Sequence, residues 1–344
     1  MAGFAPHVGY NAGMSVKDAI PDVATLRARL DTALDRGISD FVARTDQRRI
    51  EVIRNRRYTI VGVLTFIIAI LLLFVSDFLF DGWTLRLLTM SLLGLVLAVV
   101  ILGNQWRHTT KILAQEINLA LVPTLTSCLN RLVMYTHDTV HRGETKVHLE
   151  RANLLTSEVD EIVADDMYTL DDPYPLTIRE LTAYRRVARD TRIDTEQIFY
   201  GTLAVVQLPR ELSGTIVIST SGEARGIGHR VFWDTMLGST HYAEIDLEWN
   251  EFAEHIHIAA SDAAEARAVL SPELIGDLHD WWHEHGRNMR IALTGHWLYV
   301  LLPEANVRIG TSTTAVDKRH LNQYTLAVLE PVWRTLRLVE DIRL

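Results

Sequence analysis

Apolar residues gather in two uncharged runs, Tyr58–Ser76 and Leu87–Trp106, of nineteen and twenty residues, with only the ten residues Asp77–Arg86 between them. A hydrocarbon core of roughly 30 Å takes about 20 helical residues to cross. Inside it, only a helix or a closed barrel satisfies the backbone polar groups. Buried core helices would pass the same length test, but soluble cores seldom hold two such runs so close together. The pattern therefore predicts a two-helix transmembrane hairpin, with Gly82 and Trp83 of the connector at an interface. A secretory signal fits the first run poorly, because 57 residues precede it and no small-residue cleavage site follows.

Other periodicities surround this pair. Val23, Leu26, Leu30, Leu34, Ile38 and Phe41 recur at steps of three and four after Asp22, which can cap the first turn of a helix. That stripe needs a cover, either the protein's own cytoplasmic domain or a second copy in a coiled coil. Residues 1–20 show no clear period and read as a flexible start. A third apolar stretch, Ile117–Tyr135, is broken by Asn118, Pro123, Asn130 and Arg131. Its apolar positions from Leu113 to Leu132 keep helical spacing, so it reads as a soluble amphipathic helix.

From Leu176 the texture changes to short alternating runs. Leu176–Tyr184, Ile198–Gln207, Thr215–Ser219, Glu244–Leu247, Ile256–Ala260, Met289–Leu293 and Trp297–Leu302 read as strands. Thr294-Gly295 joins the last two in a hairpin. Ser271-Pro272-Glu273 opens a helix with a capping hydroxyl, a proline and an acid. A closing helix from Asp317 aligns Leu321, Tyr324, Val328, Val332 and Leu336. The class is α+β with a largely antiparallel sheet.

Charge adds orientation. Residues 1–57 net +3, residues 58–106 net −1 and residues 107–344 net −11. Six arginines between Arg44 and Arg57 precede the first run, and Arg107 and Lys111 follow the second, against Arg86 alone in the connector. The positive-inside rule then puts both termini in the cytoplasm of an inner (plasma) membrane. The lone Cys128 excludes an internal disulfide and suits a reducing compartment. An acidic main domain argues against nucleic acid as a partner.

The stretch Ala243–Leu274 carries Glu251-Phe252, Asp262, Glu265-Ala266-Arg267, Leu270 and Ser271-Pro272. With Phe199-Tyr200-Gly201 upstream and Leu298-Tyr299-Val300 downstream, it resembles the bacterial domain-of-unknown-function family numbered 3137. That resemblance covers roughly residues 110–344. It implies a membrane hairpin followed by a cytoplasmic α+β domain, and no settled activity or catalytic set. The family's Phe-Glu after the late strand is replaced here by Asn306-Val307-Arg308. Association with LemA-type membrane proteins is an implication of the family only. A structural account suffices for Glu265-Ala266-Arg267: Asp262 caps a short helix and Arg267 reaches a carboxylate.

Fourteen histidines raise a metal hypothesis. His279 and His283 have the i, i+4 spacing of a shared ion, whereas His285 points with the apolar face of the same helix. His255 and His257 alternate on one strand face. A solvated aromatic helix and the wet face of a strand are the competing readings. Glu158–Asp172 concentrates seven carboxylates but lacks the calcium-loop alternation, and pairs more simply with Arg179, Arg185, Arg186, Arg189 and Arg192. Ser221–Gly228 lacks the phosphate-binding lysine and the dinucleotide spacing, and reads as a hairpin loop.

The expected organisation is a cytoplasmic segment 1–57 with an amphipathic helix, a transmembrane hairpin 58–106, a juxtamembrane helical region 107–172 and a cytoplasmic α+β domain 173–344. The expected role is a non-catalytic interaction or scaffold component of a membrane complex, self-associating and needing no cofactor. The alternative is a metal-binding enzyme, or a pH or ligand sensor, built on His255, His257, His279 or His283.

Overall fold

A computed structural model describes residues 20–76, 82–137, 142–155, 159–171, 174–189, 192–220, 242–245, 254–285, 288–303 and 318–342. The readings made for residues 1–19, for the connector at 77–81, for Ser221–Gly228, for Glu251-Phe252, for Asn306–Arg308 and for the Asp246–Leu247 end of a strand lie outside those residues. So do the side chains of 37–44, 72–76 and 82–88, and that of His285.

Two long helices, α1 (Val23–Ser76) and α2 (Gly82–Leu129), run antiparallel. Three cross-contacts fix the pairing. Arg48 meets Glu116 at 3.1 Å, Asn55 meets Thr109 at 3.4 Å, and a Cβ on Gly62 would lie 3.2 Å from Val99. Asp22 caps α1 as expected, accepting from the Thr25 N–H at 2.6 Å. Among the described residues one helix stretch, Thr89–Leu129, is long and apolar enough to cross a membrane. Its most apolar window has mean hydropathy 1.6 and none of it is buried. On α1, Ile60, Val61, Leu64, Ile67, Ile68 and Leu71 are exposed as well.

The third apolar stretch is not a separate helix. α2 continues through Trp106 and Pro123 to Leu129 without a break. Leu113, Ile117, Leu121, Leu125 and Leu129 are all buried, so one stripe of α2 packs on the domain.

Among the described residues the domain is a nine-stranded sheet in which every pairing is antiparallel. Its strands are β1 (Met134–His137), β2 (Glu161–Leu170), β3 (Leu176–Arg189), β4 (Arg192–Gln207), β5 (Thr215–Thr220), β6 (Ala243–Glu244), β7 (Ile256–Ala260), β8 (Arg290–Thr294) and β9 (Trp297–Pro303). They lie in the order β1-β2-β3-β4-β9-β8-β5-β7-β6. The other helices among the described residues are α3 (Arg142–Ala152), α4 (Ala263–Val269), α5 (Pro272–His285) and α6 (Lys318–Asp341). Strand alternation divides the apolar side chains into two layers. Ile178, Ala204, Val206, Ile218, Ile291 and Val300 share a core with α1, α2, α5 and α6. Leu181, Leu203, Val205, Val217, Ala292 and Tyr299 face the other way, with Leu149 and Ala152 of α3.

Two strands lie where the sequence reads as helix or loop. β1 and β2 fall inside 107–172, with Glu158–Asp172 contributing the whole of β2 rather than a loop. In β2 the apolar alternation of Ile162, Ala164, Tyr168 and Leu170 is masked by the carboxylates between them. The described part of the apolar stripe of α1 is covered within the chain. Leu26, Leu30 and Leu34 are buried, Trp333 of α6 donates to the Pro21 carbonyl at 2.6 Å, and Arg29 reaches the Cys128 carbonyl at 3.2 Å.

Candidate functional site

The register of β2 against β3 creates the most distinctive polar group in the fold. Ala164 pairs with Leu181 and Met167 with Arg179, so two residues of β2 oppose the single residue Glu180. Such a bulge re-aims the strand. Before it, Ile162 and Ala164 face the α3 side; after it, Tyr168 and Leu170 face the α2 and α6 side. One row of the sheet then reads Asp166, Glu180 and Thr202, the last two paired in register across β3 and β4.

A narrow cleft of about 50 Å³ opens above this row. Asp166, Tyr168, Ile178, Glu180 and Thr202 form its sheet side, and Tyr324, Ala327, Val328 and Pro331 of α6 form the other. Hydrogen bonds tie it to α2. Asn118 donates to Asp166 at 2.8 Å, Tyr135 donates to the other Asp166 oxygen at 2.6 Å, and Tyr324 donates to the Asn118 carbonyl oxygen. Tyr200 donates to Glu180 at 2.7 Å, and the His137 ring stands 3.1 Å from Asp166.

Tyr168 is 5% exposed. Its hydroxyl interacts with that of Tyr324 and is itself shut off from solvent. Burial first, and then neighbouring groups that include Asp166, hold both phenols well above their ordinary value. Both therefore remain neutral O–H groups. Pro331 has no N–H, so the Ala327 carbonyl lacks its helical donor. Two carboxylates and the hydroxyls of Tyr168, Thr202 and Tyr324 give the cleft a polar lining.

The four histidines singled out by spacing are divided by the fold. His255, in the turn before β7, stacks on Trp282 with ring centroids 4.5 Å apart. His279 lies 5.8 Å from His255 and 6.1 Å from His283, so three of the four gather around one indole. His257 instead stands 3.9 Å from Glu244 of β6. Among the described residues, no group of three or more His, Cys, Asp or Glu side chains is placed to hold a metal ion.

The basic run spreads over several acids. Arg179 reaches Glu144 of α3 at 3.1 Å, Arg185 reaches Glu196 at 2.8 Å, and the Arg186 backbone N–H donates to Asp160 at 2.7 Å. In the Glu265-Ala266-Arg267 block, Asp262 caps α4 as expected. Glu265 has a role that spacing does not reveal: its two oxygens accept from the backbone N–H groups of Ser213 and Gly214, at 2.9 and 2.7 Å.

These features define an α+β domain with two layers of helix on one antiparallel sheet and a polar-lined cleft at its junction with α2. Residues 197–342 match the family described as "Protein of unknown function (DUF3137)", the family that the Ala243–Leu274 stretch resembles. No curated protein matches the chain. A crystal structure of the mycobacterial trehalose monomycolate transport factor A, TtfA, is similar at 10% identity, covering 49% of this chain and 75% of that one, with a TM-score of 0.25.

Proposed function

We propose that the chain is an integral protein of the bacterial inner membrane with both termini in the cytoplasm, acting as a non-catalytic interaction or scaffold component of a membrane complex. The observation that carries this reading is the unburied apolar window of α2, which sits in a helix continuous with the domain core. An exposed apolar surface of that length costs too much in water to be left uncovered. The exposed apolar residues of α1 support a second crossing beside the first, and the flanking arginines support the orientation.

Self-association would use the lipid-facing sides of the two helices, since the stripe on the first part of α1 is already covered by the domain. A LemA-type membrane partner is suggested by family resemblance alone. The test is a pair of reporters fused after Leu344, one active only in the cytoplasm and one only in the periplasm, together with extraction of membranes by alkali. Cytoplasmic signal and alkali-resistant membrane association are expected. Periplasmic signal or release by alkali would sink the reading.

A sensor role is the second reading, and the stacking of His255 on Trp282 favours it. Protonation of that imidazole would place a cation over the indole. A fluorescence titration of Trp282 that is abolished by His255→Ala would support it; an identical titration in the variant would remove it.

A further inference from the structure

We propose that Arg54, Arg57, Arg107 and Lys111 form a cationic collar that binds the headgroups of anionic phospholipids, at the domain end of the apolar windows of α1 and α2. The inference rests on the membrane reading of the two helices and adds the class of lipid that they meet.

The pairing of the helices sets the collar. Arg48 meets Glu116 and Asn55 meets Thr109, so each residue gained along α1 answers to one lost along α2. Arg57 is therefore level with Arg107, and Tyr58 with Trp106. Arg54 and Lys111 lie on the next turn of their helices, about 5 Å further along the axis, away from the exposed Ile60, Val61, Val100 and Ile101. The order along the helix pair is apolar side chains, then an aromatic pair, then cations. That is the order of a membrane–water interface.

All four cations are exposed. Among the described residues none of them has an ion-pair or hydrogen-bond partner. The next turns differ: Arg48 is held by Glu51 and Glu116, and Arg49 by Asp46. No Asp or Glu falls between Glu51 and Asp77, or between Asp81 and Glu116. Like charges crowded on neighbouring turns repel one another, and no described side chain supplies the opposing charge. Salt counterions would suffice in open water. Here the same turns border the apolar windows, where lipid phosphates are the anions at hand.

The chemistry selects among lipids. Guanidinium groups take phosphate oxygens in a bidentate fork. A zwitterionic headgroup brings its own ammonium to that phosphate, so a headgroup of net negative charge is attracted more strongly. A long soluble polyanion such as RNA fits less well, because residues 107–344 net −11 and would repel it.

The experiment uses the full chain in detergent micelles with equal amounts of phosphatidylglycerol and phosphatidylcholine, and native mass spectrometry to count the lipids retained. Phosphatidylglycerol should be retained about tenfold or more over phosphatidylcholine, since each cation near an anionic surface contributes roughly a fivefold factor. Raising the salt from about 0.05 to 0.5 M should weaken that preference. The combined variant Arg54→Gln, Arg57→Gln, Arg107→Gln and Lys111→Gln should lose it and still resist extraction of membranes by alkali. Arg210→Gln, which neutralises an exposed cation on the loop after β4, should leave it unchanged. Equal retention of the two lipids by wild type, a preference insensitive to salt, or an undiminished preference in the combined variant overturns the proposal and leaves membrane insertion standing. Release of wild type by alkali overturns both. Displacement of phosphatidylglycerol by millimolar glycerol 3-phosphate or by a short RNA would assign the collar to a soluble anion and overturn the lipid.

Discussion

Asn118 of α2 donates to Asp166 of β2 at 2.8 Å, while its carbonyl oxygen accepts from Tyr324 of α6. One amide thus joins the apolar helix, the bulged strand and the closing helix. Asn118 is 1% exposed, while Asp166 and Tyr324 are partly buried at the edge of the cleft. Replacing it by leucine leaves a partly buried carboxylate and a partly buried phenol each one partner short. Asn118→Leu should cost about 1–3 kcal/mol, the range for lost hydrogen bonds to partly buried groups, one of them charged. A thermal melt that matches wild type would show that the network contributes nothing to stability.

Gly201 marks the closest approach of β4 to β9. A Cβ there would lie 2.1 Å from the Leu302 carbonyl oxygen and 2.9 Å from the Pro303 Cα. Backbone cannot yield as a side chain does. Gly201→Ala is expected to destabilise by roughly 1–3 kcal/mol or more. Gly276, inside α5, has nothing within 4 Å of the same added atom. There the helix propensity of alanine should decide, with Gly276→Ala gaining up to about 1 kcal/mol. Denaturant midpoints moving in opposite directions would verify both.

The layout of strands is largely written in the pattern, but the cleft is not. β7 has the expected bounds, and β5, β8 and β9 fall within a residue or two of theirs. Those strands carry aliphatic residues between clear turn signals, and Gly295 takes the positive φ that the hairpin needs. Ser271 caps α5 through the Leu274 N–H, as its sequence implies. β2 was hidden for two reasons: carboxylates occupy its polar positions, and its bulge changes which parity faces which layer. The cleft draws Asn118, Asp166, Glu180, Thr202 and Tyr324 from widely separated parts of the chain, so no local spacing announces it. The signal that was available is polar residues set in apolar surroundings, Asn118 within a leucine stripe above all. Spacing paired His255 with His257 and His279 with His283, whereas the fold groups His255 with His279 and His283 around Trp282 and sets His257 beside Glu244.

Asp341 near the end of α6 offers a pH test. Burial, and next the hydrogen bond and negative charge of Asp277, raise its carboxyl from an ordinary 3.8 to about 6. The folded protein therefore keeps a proton that the unfolded chain releases above its ordinary value. This stabilisation is complete below about pH 4 and is lost as pH rises through about 6. Because the group is partly exposed, its worth is no more than about 1 kcal/mol. Between about pH 4 and pH 7.5 the wild-type melting temperature should fall relative to Asp341→Asn. Parallel pH profiles for the two proteins would refute the assignment.

Glu265 works in the opposite sense. Burial acts to raise its carboxyl, but the bonds from the Ser213 and Gly214 N–H groups outweigh it and leave the group below its ordinary value. Its contribution is present at neutral pH and disappears as pH falls through the lowered folded value. Glu265→Ala should lose about 1 kcal/mol at neutral pH, in the range of a hydrogen bond to a charged group at a partly exposed site. Hydrogen exchange at Ser213 and Gly214 should accelerate in the same variant. Unchanged exchange would mean those amides are protected by something else.

The unbroken course of α2 has a mechanical corollary. From Thr89 to Asn118 the rod contains no proline, and Pro123 lies beyond the residue that grips the sheet. If one end of this stiff shaft lies in a bilayer, as proposed, and the other is fixed in a folded body, it acts as a pointer. If bilayer thinning leaned it by about 10°, Asn118 would swing about 3 Å relative to Trp106, at 1.5 Å per residue. That displacement is comparable to a hydrogen-bond length, and it would arrive where Asp166 and Tyr324 meet.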